Sequence, residues 1–338
     1  MRAAVFPSPG ACDIIERETP LPAEGQALVR VQASGLCGTD LHIYRGQFPA
    51  EFPLIAGHEF AGLVEDIGSG VTHLRPGDRV TIDPNLPCGA CRPCRRGLTH
   101  LCRRLSAIGV TLPGGFATHC LVPARQAYKV PKDMPFDVAA MAEPVACCLH
   151  GIERARIRPG DVVAIIGAGM IGLLLLQLAL LRGASIVIVS ELSPEKRDRA
   201  LQLGASQVVD PRTDDLTKVV KDATENLGAD VVIECVGSEA TTQQAMELVG
   251  DGGTVLSFGV APPEAQIAIN PYDIYRREIT LTGSFTNPFT HAPALALLAS
   301  RRLQVTDLIS HHLPLEELLT GLELLEAGKA TKVMIEPR

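Results

Sequence analysis

A glycine-rich turn between an apolar strand and an apolar helix constrains the fold of this 338-residue chain more than any other feature. Residues 161–166 predict a strand that is continuously apolar after Asp161, as in parallel sheets, and they lead into Gly167-Ala168-Gly169-Met170-Ile171-Gly172 and an apolar helix. A second apolar run, 186–189, ends at Ser190-Glu191. The pattern G-x-G-x-x-G alone is a weak signal. Between a strand and a helix it predicts a βαβ unit whose glycines admit a dinucleotide pyrophosphate to the helix N-terminus.

Glu191 lies where an acidic side chain accepts hydrogen bonds from the adenosine ribose hydroxyls of a dinucleotide. A 2′-phosphate at the same place would meet a like charge, so the sequence predicts NAD rather than NADP. Lys196 and Arg197 follow closely and weaken this discrimination, unless both lie on the solvent face of the next helix. Lys196 is therefore also a candidate cofactor-binding residue.

Further strands are predicted at the spacing of an α/β domain, at 207–210, 231–234, 254–259 and 278–284. They predict a doubly wound parallel sheet with helices on both faces. In that arrangement the nicotinamide end of the cofactor is lined by residues that follow the last strands. The candidates are Gly259, Val260, Ser284 and Phe285.

Residues 1 to about 145 differ in character, with short β-type runs separated by proline and glycine turns. Within them four cysteines have the spacing C-x2-C-x2-C-x7-C, at Cys88, Cys91, Cys94 and Cys102. Four thiolates at this spacing can close a tetrahedral zinc site completely, which predicts a structural metal. A loop of free thiols and an iron–sulfur site are the alternatives, although the iron–sulfur spacing differs after the third cysteine. Five arginines in the same lobe could form an anion-binding patch, but the sequence favours a solvated face that also offsets the negative charge of a zinc tetrathiolate.

A second candidate metal site combines Cys37, His58 and Glu59. Thiolate, imidazole and carboxylate together suit zinc, and a site with two or three protein ligands leaves a position for water or substrate. Taken alone, one cysteine and one histidine 21 residues apart are weak evidence for a metal.

Composition limits the function classes. The formal net charge of −7 argues against nucleic acid or an anionic membrane surface as the main partner. The most apolar run, 171–181, is too short to span a bilayer, and the N-terminus lacks the pattern of a signal peptide. Ten cysteines, four of them closely spaced, favour metal binding in a reducing cytoplasm over disulfides.

These motifs, in this order, resemble the zinc-containing alcohol dehydrogenases of the medium-chain dehydrogenase/reductase family over essentially the whole chain. The resemblance rests on Gly57-His58-Glu59-x2-Gly62, on the cysteine lobe at 88–102 and on the glycine turn. It implies a GroES-like catalytic domain at 1–150, completed by 286–338, and a Rossmann domain at 151–285. It also implies two zinc ions per chain, NAD as cofactor, and a homo-oligomer, either a dimer or a tetramer.

The resemblance further assigns roles near the open metal site. Glu143, in a Glu-Pro pair, faces the catalytic zinc in related polyol dehydrogenases, as fourth ligand or as partner of a water molecule. Whether Glu59 or Glu143 binds the metal directly stays open. Thr39 and His42 correspond to a hydroxyl and a histidine that relay the substrate proton through the nicotinamide ribose. Zinc would lower the pKa of the substrate hydroxyl while hydride passes to the nicotinamide.

Within this family the sequence favours a secondary alcohol substrate, a polyol or sugar alcohol, which is oxidised to a ketose. The runner-up is L-threonine 3-dehydrogenase, because residues 37–44 also resemble its motif, although the stretch from Tyr44 to Gly57 is short for it. Polyol-phosphate dehydrogenase is a third possibility. Thr286 and Asn287 depart from the Arg-Tyr that sorbitol-type enzymes often carry, which leaves the individual substrate open.

A zinc protein without enzymatic activity is the alternative from another class. The acidic net charge opposes a nucleic-acid binder built on the cysteine lobe. The intact set of Cys37, His58 and Glu59 opposes a purely structural relative, because such a protein has no need of an open metal site.

Overall fold

The computed structural model describes residues 1–337 and divides into two compact units. The first unit comprises Met1–Ala146 and the segment from Pro288 onward, and the second comprises Cys147–Asn287. The first-unit strands are β1 (Arg2–Val5), β2 (Asp13–Glu16), β3 (Gln26–Gly35), β4 (Glu59–Ile67), β5 (Arg79–Ile82), β6 (Asn85–Leu86), β7 (Ser106–Ala107), β8 (His119–Pro123) and β9 (Ala127–Lys129). The α-helices up to residue 155 are α1 (Gly38–Tyr44), α2 (Arg92–Arg95), α3 (Phe136–Ala140) and α4 (Ala142–Ala155). Helix α4 begins in the first unit and ends in the second.

The second unit alternates strands and helices. Its strands are β10 (Val162–Ile166), β11 (Ile186–Ser190), β12 (Gln207–Val209), β13 (Ala229–Glu234), β14 (Val249–Ser257) and β15 (Thr280–Gly283). The helices between them are α5 (Met170–Leu181), α6 (Pro194–Gln202), α7 (Leu216–Ala223), α8 (Glu239–Leu248) and α9 (Pro271–Arg277). The chain then returns to the first unit with α10 (His291–Ala299), β16 (His311–Pro314), α11 (Leu318–Glu326) and β17 (Val333–Glu336).

The sheet of the first unit is centred on β3. Its strand order is β16-β17-β3-β4-β5-β9, and β8 pairs with the N-terminal half of β3. Side chains of β3, β4, β5 and β8 form one apolar cluster, and a second cluster joins the N-terminal segment to α11 and β17. In the antiparallel register Gly35 pairs with Glu59 on one side and with Met334 on the other. The strand β17 therefore lies beside β3, which pairs on its other side with β4, the strand that begins at Glu59.

The sheet of the second unit is parallel throughout, in the order β12-β11-β10-β13-β14-β15. This confirms the predicted doubly wound fold. The strands next to the centre carry long buried apolar runs because helices cover both faces of such a sheet. The strand order reverses between β10 and β13, which is where open α/β sheets bind ligands at the carboxyl ends of their strands.

Two predicted elements differ in detail. The strand expected at 254–259 begins earlier, as β14 starts at Val249 and reaches Ser257. The sequence Pro314-Leu315-Glu316-Glu317 predicts the start of a helix, and in the structure this stretch is a 3-10 turn, Leu315–Glu317, that precedes α11. Both differences fall at element ends, where capping and sheet pairing override local propensity. Among residues 1–337, no helix combines the length and the apolar character that a membrane crossing requires.

Candidate active site

Cys37, His58 and Glu59 come together in the first unit. Cys37 is the N-cap residue of α1, His58 precedes β4, and Glu59 begins that strand. Their candidate ligand atoms all lie within 4.8 Å of one another. His58 and Glu59 are buried, with 6% and 1% of their surface exposed. One thiolate, one imidazole and one carboxylate at this separation form a donor set that fits zinc.

Asp40 supports two of these residues and was missed by the sequence analysis. It is fully buried, and its Oδ2 accepts a hydrogen bond of 2.9 Å from the backbone N–H of Cys37. Its Oδ1 lies 3.5 Å from His58 Nδ1. Burial disfavours the charged imidazole, but Asp40 and Cys37 outweigh it and raise the pKa of His58. With Nδ1 facing Asp40, Nε2 is the ring nitrogen left to bind a metal.

The sequence did contain a signal for Asp40. An acidic residue three positions after the N-cap closes the reciprocal hydrogen bonds of a capping box, and Cys37 and Asp40 have this spacing. Burial of the carboxylate beside a ligand could not be read from that pattern.

Lys332 is the second residue that the sequence analysis missed, since the sequence at 332–335 predicts only a short final strand. Its Nζ donates hydrogen bonds to Glu59 Oε2 and, over 2.9 Å, to the carbonyl oxygen of Leu36. Lys332 and Glu59 are each 1% exposed. Burial alone would lower the pKa of Lys332, but the neighbouring Glu59 carboxylate and Cys37 thiol offset this and raise it.

The remaining predicted active-site residues lie outside the group of clustered ligand atoms. Glu143 is buried in the first turn of α4, and within the described chain the clustered ligand atoms include Glu59 but not Glu143. Thr39 and His42 are half-buried on α1, where His42 Nδ1 lies 3.1 Å from Gln47 Oε1. Tyr44 donates its hydroxyl to the carbonyl of Gly10. The roles of Glu143, Thr39 and His42 stay predictions.

The second metal-ligand group lies in the cysteine lobe and contains Cys88, Cys91, Cys94 and Cys102. The sulfur of Cys91 is 3.4 Å from that of Cys94 and 3.8 Å from that of Cys102. A zinc tetrahedron with metal–sulfur bonds of about 2.3 Å has edges of about 3.8 Å, so the spacing fits a closed site. Backbone N–H groups of Ala90 and Cys91, with Arg104, lower the pKa of the Cys88 thiol to about 5. This thiol is ready to bind a metal at neutral pH.

The glycine turn of the second unit lies between β10 and α5. Gly169 is the N-cap of α5 without a side-chain cap, and a Cβ built there would meet no atom within 4 Å. A Cβ on Gly172 would instead lie 2.0 Å from the carbonyl oxygen of Gly167. Gly172 thus permits close packing of the helix on the turn, and Met170 and Ile171 supply the first N–H groups of α5. This arrangement fits a pyrophosphate.

Glu191 follows β11 and contacts the same turn. Its Oε2 accepts a hydrogen bond of 2.7 Å from the N–H of Ala168, and its Oε1 accepts one of 2.9 Å from the N–H of Ser193. The two contacts fix the carboxylate beside the glycine turn. Arg197 does not lie on a solvent face, as the sequence analysis allowed, because it forms an ion pair with Asp210 and is 17% exposed.

The four residues predicted at the nicotinamide end follow β14 and β15. Gly259 packs against Gly237, where a Cβ would lie 2.2 Å from the backbone nitrogen. Val260 and Phe285 are exposed by 71% and 53%. The Ser284 hydroxyl oxygen is buried without a hydrogen-bond partner. The two exposed apolar side chains could gain contacts with a cofactor ring.

Comparisons with known proteins place this geometry in a family. Residues 23–132 match the alcohol dehydrogenase GroES-like domain, and residues 171–300 match the zinc-binding dehydrogenase domain. D-altritol 5-dehydrogenase of Agrobacterium fabrum is 39% identical, with 94% of both chains covered. L-threonine 3-dehydrogenase of Thermococcus kodakarensis is 36% identical, covering 98% of this chain and 96% of the relative. A zinc-binding dehydrogenase from Sinorhizobium meliloti 1021, solved bound to NADP, is 40% identical with a TM-score of 0.96 and 99% of both chains covered.

Identity of this extent over nearly the whole chain, together with both domain matches, confirms the predicted family. The first unit carries the GroES-like domain with the Cys37 cluster, and the second carries the parallel sheet with the glycine turn. Polyol dehydrogenases are among the relatives of this chain. The chain therefore belongs to the zinc-dependent alcohol dehydrogenases of the medium-chain dehydrogenase/reductase family, which are oxidoreductases.

Proposed function

We propose that this protein oxidises a secondary alcohol group of a polyol or sugar alcohol to a ketone, with NAD as the hydride acceptor. The observation that carries the proposal is the buried cluster of Cys37, His58 and Glu59, whose ligand atoms lie within 4.8 Å of one another. A donor set of three suits an open zinc site, and an open site can take a substrate oxygen. The 39% identity to D-altritol 5-dehydrogenase favours a polyol as that substrate.

Cys37, His58 and Glu59 would hold the zinc, and Asp40 would orient two of them. When bound, zinc supplies the Lewis acidity that lowers the pKa of a substrate hydroxyl. Asp40 holds the imidazole of His58 in one orientation and the N-terminus of α1 in place through the N–H of Cys37. Thr39 and His42 on the same helix would carry the released proton toward solvent. Glu143 would provide a further acceptor near the metal.

The glycine turn and Glu191 would hold the cofactor, and the nicotinamide supplies the hydride-accepting carbon when it is bound. Arg197 and Arg212, which lie near Glu191, both pair with Asp210, at 3.1 Å and 2.6 Å. A 2′-phosphate would therefore meet the fixed carboxylate of Glu191 and two guanidinium groups that already share the Asp210 carboxylate. This supports NAD over NADP, although the Sinorhizobium meliloti relative was solved with NADP.

Exchanging Glu191 for alanine tests this cofactor preference. We expect the ratio of kcat/KM for NAD to that for NADP to fall by a factor of about 5 to 30. This corresponds to roughly 1–2 kcal/mol, because a single hydrogen-bonded charge distinguishes the two cofactors. Glu195→Ala is the control, since Glu195 is exposed on the next helix and its carboxylate accepts a hydrogen bond from the Ser193 hydroxyl. A wild-type enzyme that uses NADP as well as NAD would contradict the role given to Glu191.

The substrate class is tested with a panel of alcohols. Purified protein with zinc and NAD should produce NADH with at least one hexitol or pentitol, and the product should be a ketose. The panel should also contain polyol phosphates, simple primary alcohols and L-threonine. Activity on primary alcohols or threonine alone would overturn the polyol assignment.

Threonine oxidation is the second candidate, because relatives named L-threonine 3-dehydrogenase reach 36% identity over 98% of this chain. Threonine also carries a secondary hydroxyl, so the same zinc and cofactor chemistry applies to it. The two candidates separate by product, since threonine yields an amino ketone and a polyol yields a ketose.

We also propose two zinc ions per chain, the second in the cysteine lobe. Within residues 1–337 no cysteine forms a disulfide, which accords with a reducing compartment, and we place the enzyme in the cytoplasm. We propose that it acts as a dimer or tetramer. The strand β15 leaves an open sheet edge, with Leu281 exposed by 39%, at which two copies could associate.

A further inference from the structure

Lys332 and Glu59 meet across a strand that carries no side chain at the crossing point. The strand order β17-β3-β4 places β3 between them, and Gly35 is the β3 residue in register with Glu59. A Cβ on Gly35 would lie 2.3 Å from Glu59 Oε2 and 2.7 Å from Lys332 Cε. Only glycine leaves room for the two side chains to touch over the sheet.

The ion pair is buried so deeply that neither charge can be satisfied by water. Both side chains are 1% exposed, and the other contact of Lys332 Nζ is the carbonyl oxygen of Leu36. A buried ammonium without its carboxylate would be strongly disfavoured, so the contact between Glu59 and Lys332 must persist in the folded protein. The same carboxylate belongs to the donor group with Cys37 and His58. One carboxylate thus serves two cations, an ammonium and a metal ion.

We propose that Lys332 is a positioning residue that competes with the metal for the Glu59 carboxylate. By engaging Oε2, it limits Glu59 to at most one oxygen toward the metal and so keeps the open site open. This inference rests on the proposed zinc site at Cys37 and His58. It assigns to Lys332 a function that is separate from folding: it sets how tightly the site holds zinc.

Lys332→Met tests the proposal. This change removes the positive charge and keeps an unbranched chain over Gly35, so both oxygens of Glu59 become free for the metal. We expect zinc at the open site to bind about tenfold more tightly, measured by competition with a chelator at equilibrium, because one repelling charge is lost. Cobalt-substituted protein should show an altered visible spectrum as the coordination changes. Lys332→Arg keeps the charge and should restore wild-type affinity.

Glu59→Gln gives a response of opposite sign. It removes one ligand charge and leaves Lys332 unbalanced, so zinc affinity should fall. If Lys332→Met does not fold, the comparison moves to the neutral pair Glu59→Gln with Lys332→Met, which buries no unpaired charge. That double variant should hold zinc more tightly than Glu59→Gln alone.

The controls separate failure of this inference from failure of the proposed function. Cys37→Ser protein reports the zinc of the cysteine lobe alone and is subtracted throughout. If wild-type protein binds no zinc beyond that amount, the proposed function itself fails. If wild type binds zinc at the open site but Lys332→Met binds it equally or more weakly, the positioning role of Lys332 is wrong and the pair only stabilises the fold.

Discussion

Replacing Cys37 by serine is expected to abolish alcohol oxidation while the protein stays folded. Cys37 supplies the thiolate of the proposed open site, and a neutral hydroxyl is a much weaker zinc ligand. Loss of a Lewis acid worth several kcal/mol should lower kcat/KM by about a thousandfold or more. The side chain is only half-buried at the N-cap of α1, so both units should keep their packing. The melting temperature and NAD binding should remain close to wild type.

Three measurements decide this prediction. Metal analysis should show about one zinc fewer per chain, a steady-state assay should show the lost rate, and NAD titration should show unchanged binding. Cys12→Ser is the matched control, because Cys12 is a partly buried cysteine of the same unit outside both metal-ligand groups. Cys37→Ser protein that keeps full activity, or that unfolds, would contradict an open catalytic metal at this position.

Local patterns in the sequence predicted the fold well because each covers a short stretch of chain. The strand, glycine turn and helix at 161–181 are contiguous, and their period and composition specify a parallel βαβ unit. The cysteine spacing at 88–102 works in the same way, since a closed metal site in one lobe draws its ligands from neighbouring residues.

The surroundings of the open site depend on contacts between distant parts of the chain. Lys332 lies 273 residues from Glu59, and the two meet only because β17 pairs with β3 next to β4. From sequence alone, a lysine before a short C-terminal strand is predicted to be a solvated surface residue, because lysines are almost never fully buried unless they are paired. Asp40 is an intermediate case: its capping position was readable, but its burial beside His58 depends on tertiary packing.

The positions of the side chains of Glu59 and Glu143 distinguish the two candidate metal ligands. Sequence left open whether Glu59 or Glu143 binds the metal directly, because Glu59 follows His58 in the ligand motif and Glu143 belongs to a Glu-Pro pair that faces the zinc in related polyol dehydrogenases. The clustered ligand atoms of the described chain include Glu59, which shares its carboxylate with Lys332. A contact of Glu143 with the metal stays a prediction, and zinc affinity of Glu143→Gln against Glu59→Gln would rank the two.

Replacing Cys91 by serine is expected to have the opposite profile to Cys37→Ser, with stability lost first. The lobe at 88–102 holds short elements, α2 and a 3-10 turn, and of its four cysteines only Cys102 is fully buried. Such a lobe has too little apolar surface to order itself, so the metal supplies the constraint. A cross-link that closes a 15-residue loop is worth about 3 kcal/mol. At about 2–4 °C per kcal/mol for a unit of this size, the melting temperature should fall by about 6–12 °C.

The test compares melting temperature, zinc content and activity in Cys91→Ser and Ala90→Ser. Ala90 is exposed in the same loop, so its exchange adds a hydroxyl without removing a ligand. The Ala90 variant should keep two zinc ions and wild-type stability. Cys91→Ser should lose one zinc, and the activity that remains below the new melting temperature should still respond to zinc at Cys37. A Cys91→Ser protein as stable as wild type would mean that the lobe is ordered by its own packing, and the closed site would then have no structural role.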